Sequence, residues 1–457
     1  MSNAAPVQDL PEIRPLRAAA PPAGLNGALR VPGRAVDGHG ALVLGALAVG
    51  ESRLEGLPDS PELERSAAAL RALGAVVERA TPGDWHVWGR GVGGLAEPAG
   101  VLELGASPTA AALFCGLLAG HPGFAVLGGG GDPAQPRSWR DVTDPLGAGG
   151  ARFFGPANGG FPLAVEGARA PRPLHHRLPA AAAREKPALL VFGLLARGTT
   201  VLEEPAAAAP DGLETLLRQF GAPLRHGAAG TGRVIELDGQ PELTAAPVTL
   251  PGDPALAAVA LVAALLVPGS RLVLRGVALD PALMALLDAL REMGAAIAVT
   301  GERRAAGGTL GDLAVSHGPL RALDLAAERL PALADAIPLL AVAAACAGGT
   351  SRFRGLGQGR FRDGGRLDAL RALLAGNGVP TPLEGDDLVL RRDGAPPAGS
   401  GAVAAGADPR IAAAALVLGL AAATPVTLEG GTSLDTSFPG LVALLNGAAG
   451  GGAIGSA

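Results

Sequence analysis

Apolar positions along this chain gather into six nearly unbroken runs, each followed by the same succession of patterns. The run after Leu333, I-P-L-L-A-V-A-A-A-C-A, is apolar nearly all round and predicts a buried helix, too short to cross a membrane. Gly348-Gly349 end it, and Thr350 to Arg354 read as a short strand. Leu367, Leu370 and Leu373 then mark one face of an amphipathic helix that stops at Gly376-Asn377-Gly378. The same order starts at Gly40, Pro108, Pro187, Pro254 and Pro409. Intervals of roughly 70 to 80 residues exceed those of solenoid repeats and predict a repeated subdomain. Helices without a polar face belong inside a domain, so the expected fold is α/β with apolar helices at the centre, strands and amphipathic helices outside.

Four of these helices are expected to begin with proline at the first helical position: Ser107-Pro108, Lys186-Pro187, Asp253-Pro254 and Asp408-Pro409. Ser107, Asp253 and Asp408 suit the N-cap. Helix starts collected on one side of each domain would form a positive surface for phosphates and carboxylates.

Composition narrows the picture. With 457 residues, two domains are expected, and hydrophobic residues at 48% supply ample core. Aromatics make up 3%, so that core is mostly alanine, leucine and valine. A net charge of −5 argues against general affinity for nucleic acid. Cys115 and Cys346 fall in apolar helices and read as core residues, and no Cys/His spacing points to a metal. Residues 1–24 and 448–457 read as flexible tails, and no signal peptide or membrane segment is seen, which predicts a cytoplasmic protein. Lys186 is the only lysine.

The order of motifs resembles the 5-enolpyruvylshikimate-3-phosphate synthase family of enolpyruvyl transferases. The resemblance rests on the stretch from Leu250 to Ser270, on L-L-D-A-L-R-E-M-G-A from Leu286, on V-T-D-P-L at 142–146 and on T-S-F-P at 436–439. It implies a two-domain inside-out α/β barrel with three βαβαββ units per domain. The domains would be 34–249 and 25–33 plus 250–447, joined by a two-stranded hinge. The implied reaction moves the enolpyruvyl group of phosphoenolpyruvate to shikimate 3-phosphate, without cofactor or metal, in a monomer.

By the same resemblance, Asp335 and Asp363 take the acid/base roles, while Arg137, Arg362, Arg366 and Arg410 bind the anionic substrates. The family's lysine falls on Ala35, one of its arginines on Gly40, and its Ser-Ala-Gln on Ala182-Ala183-Arg184. Its Gly-Asn-Ala/Ser-Gly-Thr becomes Gly105-Ala106-Ser107-Pro108-Thr109, and its Arg-Asp-His becomes Pro210-Asp211-Gly212. Phosphoenolpyruvate contacts are thus kept and shikimate 3-phosphate contacts thinned, which predicts weak acceptor binding and slow turnover. The alternatives are a paralogue with another phosphorylated or polyhydroxylated acceptor, and a non-catalytic binding protein on the same fold.

Overall fold

The computed structural model describes residues 15–129, 138–179, 182, 184–205, 211–305, 308–358, 365–404, 408–430, 434 and 437–457. The chain divides into two compact units, one mainly of residues up to Val31 and from Gly252 onward, the other mainly of Pro32–Pro251.

Each unit has three apolar helices at its centre. Ala35–Leu47, Pro108–Gly120 and Glu185–Leu195 occupy the second; Pro254–Leu266, Ile337–Ala345 and Pro409–Ala421 occupy the first. In Pro254–Leu266 every residue except Ala255 is buried. Small residues let the helices approach closely: a Cβ on Gly116 would lie 2.0 Å from the carbonyl oxygen of Ala188 on the neighbouring helix. Leu367, Leu370 and Leu373 of the outer Arg366–Gly376 helix are buried against the core, as their spacing predicts.

Among the described residues there are six four-stranded sheets, each with one parallel pair beside two antiparallel neighbours. In the first unit, Asn26–Arg30 pairs in parallel with Arg271–Ala278. Each inner helix follows one strand of a parallel pair along the chain, and for Ala35–Leu47 and Pro254–Leu266 that strand, Asn26–Arg30 or Val248–Thr249, belongs to the other unit's sheet.

The structure departs from expectation in three places. Leu16–Ala18 and Ile454–Ser456, within the segments read as flexible tails, pair antiparallel with each other, and Leu16–Ala18 also pairs with Val426–Glu429. Paired backbone groups and the buried Ala18 and Ile454 hold these ends in a sheet. Next, the Glu185–Leu195 helix starts two residues before Pro187. The ring is tolerated there because the first four N–H groups of a helix have no intrahelical partner. Finally, Gly348 and Gly349 open the strand Gly348–Phe353 instead of closing the preceding helix, which ends at Ala345.

The caps behave as their side chains dictate. Ser107 accepts from the Ala110 N–H, Asp253 from that of Ala255, and Asp408 from that of Arg410. Both cysteines sit in or beside the core, and burial pushes each thiol up to about 12, which keeps them protonated and inert. Among the described residues, no helix is long and apolar enough to cross a membrane and no acidic, His or Cys cluster could hold a metal ion.

Candidate active site

Three of the residues singled out from the sequence meet in the first unit. Asp335 lies in the turn between Leu330–Leu333 and the Ile337–Ala345 helix. Arg366 is the first residue of its helix, after Gly365 in the left-handed conformation (φ 67°). Arg410 is the second residue of Pro409–Ala421. The Arg410 Nε forms an ion pair with Asp335 Oδ1 at 2.8 Å, and the Arg366 Nε donates to Asp408 Oδ2 at 2.6 Å. Asp408 Oδ1 accepts the Arg410 backbone N–H at 2.9 Å, so one carboxylate caps a helix and holds an arginine at once. Arg137, Arg362 and Asp363 lie outside the described residues.

The placement of these arginines is poor for stability. Helix N-termini carry partial positive charge and favour anions, each misplaced cation costing about 0.3–1 kcal/mol. Arg366 and Arg410 both sit in first turns. Asp408 pairs with Arg366 and the exposed Asp335 with Arg410, so the two guanidiniums at two helix starts carry paired N–H groups that a small dianion can also engage.

In the second unit the cations at the inner-helix starts are also held by carboxylates. Arg34, ahead of Ala35–Leu47, donates through Nε to Asp37 Oδ2 at 2.9 Å. Burial pushes the Asp37 carboxyl up, with Arg34 only partly offsetting it. Arg184, ahead of Glu185–Leu195, pairs with Asp141 at 2.6 Å and stacks 4.7 Å above the Trp139 ring. Lys186 is ringed by Glu214 at 2.5 Å, Asp211 at 2.8 Å and Glu204 at 2.9 Å. Burial alone would lower the Lys186 ammonium, but these carboxylates outweigh it and raise it.

The positions aligned with lost polar groups are filled by packing. A Cβ at Gly212 would lie 1.8 Å from Asp37 Oδ1, and one at Gly40 would lie 3.2 Å from Leu213. Ala182 packs against the apolar core. A histidine at 212 would collide with Asp37, while an arginine at 40 would press on Leu213, which would have to shift slightly. Sequence reasoning marked Asp408 only as a cap, left Lys186 unassigned and gave Asp37 no role.

His39 is buried between two hydroxyls, with Nδ1 2.9 Å from Ser66 Oγ and Nε2 3.2 Å from Ser107 Oγ. Burial lowers its pKa from the ordinary 6.5 to about 4, so the folded ring is neutral. The unfolded chain binds the proton more readily. The stability due to this ring is therefore complete above pH 6.5 and lost as pH falls toward 4, a difference of about 3 kcal/mol. Urea unfolding at pH 7.5 and 4.5 is expected to show a smaller acid loss for His39→Gln than for the parent; equal losses would remove His39 as the cause.

Comparison with known proteins gives a uniform picture. The model of the EPSP synthase (3-phosphoshikimate 1-carboxyvinyltransferase) family matches residues 19–445. A 3-phosphoshikimate 1-carboxyvinyltransferase of Granulibacter bethesdensis is 48% identical over 438 residues, covering 95% of this chain and 96% of its own. One from Acidiphilium cryptum is 48% identical over 427 residues, covering 93% and 95%. The solved EPSP synthase of Acinetobacter baumannii superposes with a TM-score of 0.82 at 28% identity, over 97% of this chain and 99% of its own. An enolpyruvyl transferase from Streptomyces tendae shares the fold with a TM-score of 0.67 at 22% identity, over 94% and 97%.

Proposed function

The chain belongs to the EPSP synthase family, and on that footing we propose that it moves the carboxyvinyl group of phosphoenolpyruvate onto a hydroxyl of 3-phosphoshikimate, releasing phosphate. The observation that carries this reading is the assembly of Asp335, Arg366, Asp408 and Arg410 at three helix starts. Arg366 and Arg410 hold the carboxylate and phosphate of phosphoenolpyruvate, with Arg137 and Arg362 completing the set. Asp335 accepts the acceptor's hydroxyl proton as that hydroxyl oxygen bonds to C2 and the methylene gains a proton, giving a tetrahedral adduct. The new methyl then gives up a proton, with Asp363 as the second acid/base group, the C2–C3 double bond re-forms and phosphate leaves with the electrons of its C–O bond. The domains are taken as 34–249 and 25–33 plus 250–447, and the enzyme as a cytoplasmic monomer.

Ala35, Gly40 and Ala182 offer no polar side chain to the acceptor, and each unmatched buried group on it costs about 1–3 kcal/mol. The test is phosphate release by the purified chain with each substrate alone and with both. Release only with both, at a raised KM for 3-phosphoshikimate, is expected. No release at saturating concentrations would overturn the reading.

A further inference from the structure

The Arg410 guanidinium, one of the two arginines placed on the incoming anion, is already engaged by the chain's own Asp335, Nε to Oδ1 at 2.8 Å. We propose that Asp335 is the resident occupant of this anion site, so that anion binding and release of Asp335 are a single exchange. The proposal rests on the reading above for the meaning of the exchange, since the carboxylate released is the one assigned to take the hydroxyl proton. Its binding half stands on geometry alone.

Three features of the pair support displacement. The Asp335 side chain is 71% exposed against 34% for Arg410, so the aspartate can swing into water while the arginine stays against the protein. Asp335 belongs to a turn between two helices and caps neither of them, so its departure breaks no backbone contact of the Ile337–Ala345 helix, whose cap residue is Ala336. The root of the Arg410 side chain stays at the helix start, because its backbone N–H is tied to Asp408 Oδ1 at 2.9 Å. An exposed pair of this kind is weak, and a dianion that adds a second N–H contact replaces it readily. Before the anion arrives, Arg410 holds the carboxylate; afterwards the carboxylate stands beside a bound reactant, able to accept a proton. The arrangement links base availability to occupancy of the site without any movement of the helices.

Competition has a reciprocal signature. Titration of inorganic phosphate into the full chain, followed by calorimetry, needs no turnover and so is independent of whether the transfer reaction succeeds. Asp335→Asn is expected to tighten phosphate by roughly two- to fivefold, the range that an exposed ion pair corresponds to. Asp368→Asn removes an 82% exposed carboxylate that pairs only loosely with Arg371 at 3.8 Å, and is expected to leave affinity unchanged. In an Arg410→Gln background, phosphate binds weakly and Asp335→Asn no longer tightens it. Unchanged or weaker binding by Asp335→Asn overturns the exchange. So does equal tightening with and without Arg410, which would mark a general field effect. Absence of phosphate binding by the parent and by Asp335→Asn overturns it too, since Arg410 would then be no anion site.

Discussion

Arg366→Gln and Arg410→Gln are each expected to lower kcat/KM for phosphoenolpyruvate by roughly a hundredfold to a thousandfold, with no loss of folding stability. A donor preorganised toward developing or departing charge typically contributes a factor of that size. Stability should hold because both cations stand in the first turn of a helix, where positive charge is unfavourable. The capping contact from Asp408 to the Arg410 N–H uses the backbone and survives either change. Steady-state kinetics together with the thermal midpoint separate this from a structural role. A variant with a lowered midpoint and near-parental kinetics would place these arginines in the architecture instead.

Glu214→Gln is expected to have the opposite profile, a large loss of stability from a residue outside the proposed catalytic set. Glu214 is fully buried and takes Lys186 Nζ and Arg233 Nη2, each at 2.5 Å, on one oxygen and His226 Nε2 at 2.5 Å on the other. It also completes a capping box with Asp211 at the start of Gly212–Gln219. Arg233 and Lys186 are almost as buried, and both also reach Glu204. Amide in place of carboxylate keeps the shape but leaves two buried cations under-compensated, which costs about 3–5 kcal/mol when a buried pair is broken. Urea unfolding of the full chain should show the midpoint moving down without a change in slope. An unmoved midpoint would mean that Glu204 and Asp211 neutralise Lys186 and Arg233 by themselves.

The network also explains why the sole lysine is not a substitute for the one missing at Ala35. Lys186 lies in the first turn of an inner helix, where its sequence position alone would allow it to face an anion. Its ammonium is committed to three carboxylates, drawn from the end of one strand and the start of one helix. In the sequence, Glu204 and Glu214 carry no motif, and Asp211 stands out only within Pro210-Asp211-Gly212. Their convergence depends on contacts 18 to 28 residues distant, and no local pattern encodes it.

The central helices were readable in advance because all-round apolarity is a property of consecutive residues. A stretch such as Pro254–Leu266 has no face that water would accept. The caps at Ser107, Asp253 and Asp408 were readable for the same reason, since a cap acts within three residues of itself. Asp335, Arg366 and Arg410 could be picked out by motif order, and the resemblance implied that they share one site. Which carboxylate pairs with which arginine could not be read, because each belongs to a different helix start.

What escaped the sequence was decided by partners remote along the chain. Leu16–Ala18 is three residues long, too short for an alternation of its own, and becomes a strand only because Val426–Glu429 and Ile454–Ser456 flank it. Asp37 became a buried carboxylate because position 212 is glycine and leaves space for it. Local periodicity determined where the helices form and which of them go inside, since desolvation acts on each stretch separately. The tertiary structure alone decided which carboxylate each cation at a helix start meets, because Coulomb pairing at 2.5–2.8 Å depends on the final positions of both partners.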